Sequence, residues 1–142
     1  MAVHSKASTV WKGSLTEGSG TTALASGVAT VGVNWKARSE GSATTTTPEE
    51  LLAAAHASCY AMALSNALGE KGTPPTEISV EAEVTFVPGE GVTQSVLTVK
   101  ASVPGLDQVG FGEVAEDAKE NCPVSKALAG VQISLESATL LD

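Results

Sequence analysis

The chain has 142 residues, a formal net charge of -8, and 42% hydrophobic against 17% charged residues. This length and balance suit one domain spanning 1–142 with its own core, and exclude a disordered chain. The negative charge repels phosphate backbones and anionic lipid, so no nucleic-acid or membrane partner is expected; with no leader-like start and no uninterrupted apolar run of spanning length, the expected location is cytoplasmic.

Residues 5–12 and 27–37 alternate apolar and polar side chains and are rich in β-branched types, the pattern of strands with one wet face. The Gly-rich stretch 13–20 between them has hairpin chemistry. A polar loop, RSEGSATTTT at 38–47, then leads into a helix over about 48–69. Its start is marked by Thr47 at the N-cap, Pro48 at the first helical position and Glu50 three residues after the cap, a capping-box pattern, and its end by Gly69. Beyond the first turn the helix is apolar on nearly every face, from Leu51 and Leu52 through Ala61, Met62 and Leu64. Such a helix is buried all round, and since one sheet covers one side, a second helix or a partner subunit is expected on the other.

Strands are expected at 77–87 and 93–103, joined by the turn PGEG at 88–91. A helix over about 106–121 follows, with Val109, Val114, Ala115 and Ala118 toward the core and its acidic residues outside. Pro123 interrupts it and opens a short new helix to Leu128, closed by Gly130. A last strand covers 131–141. The order β-β-α-β-β-α-α-β is that of an α+β fold.

Two cysteines in 142 residues are too few for a disulfide scaffold; in a reducing compartment such thiols are catalytic, metal-bound or simply buried. Cys59 sits inside the apolar helix, where desolvation raises a thiol's pKa, so reactivity requires a nearby cation. Arg38 carries a fork that stays charged and binds carboxylate and thiolate together, although most arginines are simply exposed. Glu49, ten residues before Cys59, lies roughly 15 Å away along the helix, so it either holds an arginine or complements the helix dipole. Cys122, directly before Pro123, meets free N–H groups at a helix start, which favours its thiolate. His56 shares a helix face with Cys59. A Cys-His pair or a zinc site with His4 and Cys122 lacks motif spacing, and a core histidine with satisfied nitrogens is the plainer reading.

The segments TPEELLAAAHASCYAMALS at 47–65 and NCPVSKAL at 121–128 resemble the OsmC/Ohr family of osmotically inducible and organic hydroperoxide resistance proteins. Trp11-Lys12-Gly13, Arg38-Ser39-Glu40-Gly41 and Val103-Pro104-Gly105-Leu106-Asp107 extend the resemblance over nearly the whole chain. The first hairpin, Thr16-Glu17-Gly18-Ser19-Gly20, lacks the arginine typical of the Ohr branch; with AAHASC and CPVS this points to the OsmC branch. The resemblance implies an intertwined homodimer, antiparallel sheets wrapped around central buried helices, with two equivalent active sites at the subunit interface. It further implies reduction of an organic hydroperoxide by Cys59, with Cys122 resolving the sulfenic acid as a Cys59–Cys122 disulfide and an external dithiol resetting it. Arg38 is then the thiolate-stabilising cation and Glu49 its carboxylate partner, a role Glu50 could share. No cofactor or metal is expected. An apolar site including Leu51, Leu52 and Met62 would favour an alkyl tail. The competing readings are a non-catalytic dimer holding a small apolar molecule, and a thiol redox sensor.

Overall fold

The computed structural model describes residues 1–141. In chain order these form β1 (Ala7–Lys12), β2 (Ser19–Leu24), β3 (Thr30–Val33), α1 (Trp35–Glu40), α2 (Pro48–Glu70), β4 (Glu77–Val87), β5 (Gly91–Ser102), α3 (Gln108–Asn121), α4 (Pro123–Ala127) and β6 (Gln132–Leu140). The mixture is α+β, with two three-stranded sheets. The chain divides into two units, residues 1–51 and the remainder from Leu52 onward.

In the first unit β2 lies between β1 and β3, antiparallel to both. The sequence reading missed β2 and paired the flanking strands directly, because SGTTAL carries neither β-branched alternation nor a large apolar residue before Leu24. Gly20 explains how so plain a strand fits: it faces Trp11 on one side and Val33 on the other, and a Cβ there would sit 2.8 Å from the Trp11 ring. The expected strand 27–37 pairs only over Thr30–Val33. Asn34 ends it, since its side chain accepts the Ala37 N–H at 2.8 Å and caps α1. Gly41, at φ 86°, closes that helix by donating its N–H to the Ala37 carbonyl. Arg38 therefore stands on a helix rather than where the expected strand gives way to the polar loop.

The start of α2 follows the expected capping on one arm: the Glu50 N–H donates to Thr47 Oγ1 at 3.0 Å. The Glu50 carboxylate instead accepts from the Thr46 hydroxyl.

In the second unit β4 and β5 form a long antiparallel pair, and β6 runs parallel to β5. An all-antiparallel arrangement was expected. The chain between β5 and β6 is a helical crossover through α3 and α4, long enough to return it to the same end of the sheet, as parallel pairing requires. Leu97, Val99 and Ala101 alternate along one face of β5 and meet Tyr60, Leu64 and Leu68 of α2 and Phe111, Val114, Ala115 and Ala118 of α3 in one cluster. Val109, expected in that core, is 73% exposed, and Phe111 takes the inward position. A helix holds one stripe toward the sheet, and Phe111, Val114, Ala115 and Ala118 already define it.

Within one chain α2 buries a single stripe, His56, Tyr60, Leu64 and Leu68, spaced by four. Its other faces, which the sequence reading expected a second helix or a partner subunit to cover, are half-buried to exposed, with Met62 at 71% exposure. By length and composition α2 could also cross a membrane, with a hydropathy of 1.3 over an 18-residue window, although the sequence reading found no such run.

Candidate active site

Two groups of side chains carry chemistry, one in each unit. In the first, Arg38 on α1 donates to Glu49 through Nε at 3.0 Å and Nη2 at 2.8 Å, both to Oε1, with a longer contact of 3.3 Å from Nε to Oε2. Glu49 is buried, while 34% of the Arg38 side chain remains exposed. The pair fixes the guanidinium plane by a charge-assisted fork. The structure thus gives Arg38 its carboxylate in Glu49, whereas Glu50 is exposed. Beside this pair is a hollow of about 370 Å³ lined by Trp11, Leu15, Val33, Asn34, Trp35, Arg38 and Pro48. Sequence reasoning did not find this apolar wall; the two tryptophans near a lone arginine were its only trace.

In the second unit Cys59 of α2 and Cys122, the residue between α3 and α4, are free thiols near enough for each to act on the other's ionisation. Cys122 is fully buried and Cys59 partly so. Burial pushes the Cys59 thiol above its ordinary value, the neighbouring Cys122 sulfur adds to the rise, and the Val124 N–H opposes it. For Cys122 burial again acts upward, but the Ser125 N–H, the Cys59 thiol, the Ser125 hydroxyl and the Val124 N–H outweigh it, leaving this thiol below its ordinary value. Pro123 starts α4 at its first position, so the free N–H groups of that helix start lie close after Cys122 in the chain.

His56 is buried, with Nδ1 2.7 Å from Ser95 Oγ and Nε2 2.8 Å from Ser125 Oγ. It is a core histidine with both nitrogens partnered, and burial holds it below its ordinary pKa. No cluster of three or more His, Cys, Asp or Glu side chains suited to a metal occurs among the described residues. Met62 lies on the surface beside Pro75, Thr76 and Ile78 rather than with Leu51 and Leu52. The serine partners Ser95 and Ser125 were missed by sequence reasoning, because serine pairing across a fold leaves no local pattern.

Residues 40–136 match the family of OsmC-like proteins. The chain is 39% identical over 134 residues to the Escherichia coli peroxiredoxin OsmC, covering 90% of this chain and 92% of that one. Among solved structures it resembles the organic hydroperoxide resistance protein OhrB of Bacillus subtilis, with a TM-score of 0.65, 26% identity and coverage of 93% and 97% of the two chains. An OsmC-like protein from Mycoplasma pneumoniae shares the fold at a TM-score of 0.72 and 16% identity, over 99% of both chains. A paired-thiol core, a fork-held arginine and this breadth of similarity lead to one assignment: the chain belongs to the OsmC/Ohr family, among the OsmC-like proteins.

Proposed function

We propose that this protein is a thiol-dependent peroxidase that reduces organic hydroperoxides to alcohols. The observation that carries the reading is the proximity of Cys59 and Cys122, two free thiols from distant segments near enough to act on one another's ionisation. The names of the E. coli and B. subtilis relatives, a peroxiredoxin and an organic hydroperoxide resistance protein, support the same reaction class.

In this reading the Cys59 thiolate attacks the terminal oxygen of ROOH. The O–O bond breaks, alkoxide leaves and takes a proton to become alcohol, and Cys59 is left as a sulfenic acid. Arg38 stabilises the thiolate and the developing charge on oxygen, and Glu49 holds its plane. Cys122 then displaces the sulfenic oxygen as water, giving a Cys59–Cys122 disulfide, which an external dithiol reduces. Bound apolar tails gain about 25 cal/mol per Å² of area removed from water, and the hollow walled by Trp11, Leu15, Val33 and Trp35 supplies such area near Arg38, which favours organic over hydrogen peroxide. The open faces of α2 support a homodimer in which a second copy covers them. A reducing cytoplasm suits the free thiols.

The test is consumption of an alkyl hydroperoxide with a dithiol, followed by mass spectrometry after one equivalent of peroxide. The wild type should lose two hydrogens. Cys122→Ser should gain one oxygen on the Cys59 peptide, and Cys59→Ser should consume nothing beyond background. If neither substitution changes consumption, the peroxidase reading is wrong. Thiols that stay inert would favour the apolar-ligand binder, and a disulfide that persists in dithiol would favour the sensor.

A further inference from the structure

β6 pairs with β5 along one side and has no strand on the other among the described residues. An edge of this kind offers free N–H and C=O groups to any other strand, and folded proteins guard it with charge, proline, a bulge or a cover. The opposite edge of the same sheet, β4, presents Glu77, Glu81 and Glu83 to solvent. The end of β6 lacks that protection: residues 137–141 read SATLL, with neither charge nor proline. Exposed, such a segment pairs readily with copies of itself.

Backbone direction identifies which groups at that end are open. The Leu141 N–H donates to the Ala101 carbonyl of β5 at 2.9 Å. Successive residues of a strand aim their N–H and C=O groups to alternate sides, so Ala138 and Leu140 aim theirs at the free edge. A single side chain meets both residues there. Gln108, the first residue of α3, donates from Nε2 to the Ala138 carbonyl at 2.8 Å and accepts the Leu140 N–H on Oε1 at 2.9 Å. The partners fix which way the amide points, because a carbonyl only accepts and an N–H only donates. A residue of a parallel neighbouring strand makes the same pair of bonds, donating to one carbonyl and accepting from the N–H of the next residue but one. The start of α3 holds Gln108 in place: Asp107 caps it by accepting the Gly110 N–H at 2.8 Å, and a Cβ at Gly110 would lie 2.9 Å from Leu106 Cδ1 and 3.0 Å from Asp107 Oδ1.

We propose that Gln108 is an edge guard: its side-chain amide stands in for a strand beside β6 and closes residues 138–140 to pairing with the same segment of another copy. An incoming strand competes for the same carbonyl and N–H, so association through this edge must first break both bonds to Gln108. This role is independent of the peroxidase reading, since neither thiol nor Arg38 takes part in it.

The test compares Gln108→Ala and Gln108→Glu with the wild type in whatever assembly the wild type adopts. Position 108 is exposed, and both replacements suit the first turn of a helix. Hydrogen exchange followed by NMR should show the Leu140 amide exchanging about tenfold faster in Gln108→Ala, as expected for one lost hydrogen bond. The Leu141 amide, held by Ala101, should keep its rate. Sedimentation at rising concentration should show Gln108→Ala forming larger assemblies at a several-fold lower concentration than the wild type. Gln108→Glu keeps an acceptor for the Leu140 N–H, loses the donor to Ala138 and leaves a negative charge on the edge, so it should assemble no more readily than the wild type. An unchanged Leu140 exchange rate in Gln108→Ala would mean that the amide does not hold this edge in solution. Faster exchange with wild-type assembly would reduce Gln108 to a clasp on β6 and overturn the guard. Assembly of Gln108→Glu to the extent of Gln108→Ala would overturn it as well.

Discussion

Replacing Glu49 separates the structural and chemical duties of its pair with Arg38. The geometry is uneven: Oε1 accepts from both Nε and Nη2, at 3.0 and 2.8 Å, while Oε2 takes only the 3.3 Å contact. Glu49→Gln can place its amide oxygen where Oε1 stands and keep both short bonds, losing the charge and setting an NH₂ against the Nε–H. Glu49→Ala loses all three contacts. Breaking a sealed ion pair costs about 3–5 kcal/mol. Here water reaches Arg38, whose side chain is 34% exposed, and recovers part of that, so Glu49→Ala should cost about 2 kcal/mol and Glu49→Gln about 1. If the fork aims the arginine, the first oxidation step should slow by about 10- to 100-fold in Glu49→Ala and by less in Glu49→Gln, since misplacement by about an ångström is enough for that loss. Urea unfolding reads the first quantity and stopped-flow oxidation by an alkyl hydroperoxide the second. A Glu49→Ala protein as stable as wild type would mean the pair is not held in solution. One that is destabilised yet oxidised at the wild-type rate would remove Arg38 orientation from the mechanism.

Gly20→Ala puts a Cβ 2.8 Å from the Trp11 ring and 3.1 Å from Val33 Cγ2; the ring should be displaced, changing tryptophan fluorescence and raising the KM for an aromatic hydroperoxide several-fold, and an unchanged spectrum and KM would contradict the placement of the hollow. Tyr60→Phe removes a 2.9 Å hydrogen bond to the buried Ala115 carbonyl and should lower unfolding free energy by about 1–2 kcal/mol in denaturant titration. For His56 the folded pKa lies below 6.5 because of burial. The unfolded chain therefore binds the proton first, and stability should begin to fall as pH drops below about 6.5, with no His56 contribution above it. Thermal melts across that range should show the slope, and His56→Gln should flatten it.

The parts legible in the sequence were those governed by local rules. Pro48 and Thr47 marked the start of α2, the PGEG turn fixed the β4–β5 hairpin, and Pro123 split α3 from α4. The failures occurred where tertiary context decided. SGTTAL becomes a strand because Gly20 lets Trp11 and Val33 close over it, a property of neighbours in space. Asn34 reads as one more polar residue in an alternating strand until its side chain is seen capping α1. Val109 and Phe111 are both apolar and two apart, and only the direction in which α3 faces the sheet chooses between them. For the site, the choice of Glu49 over Glu50 as the partner of Arg38 depended on which carboxylate is buried. Adjacent positions on a helix point about 100° apart, and the sequence does not say which direction faces α1.

The ordering of charge in the thiol pair bears on how the proposed reaction divides its work. Burial pushes the Cys59 thiol up while the surroundings of Cys122 leave that thiol below its ordinary value, whereas the first step needs Cys59 ionised. The two demands are compatible if they are met at different times. Before oxidation, a cation at Cys59 must offset its burial and favour its thiolate, the task proposed for Arg38. After oxidation Cys59 carries a neutral sulfenic acid and no longer competes for the anion, and the surroundings that lower the Cys122 thiol then favour the thiolate that resolution requires. An arrangement favouring Cys59 throughout would attack peroxide faster and leave the sulfenic acid exposed longer to a second peroxide, which carries the sulfur toward irreversible oxidation.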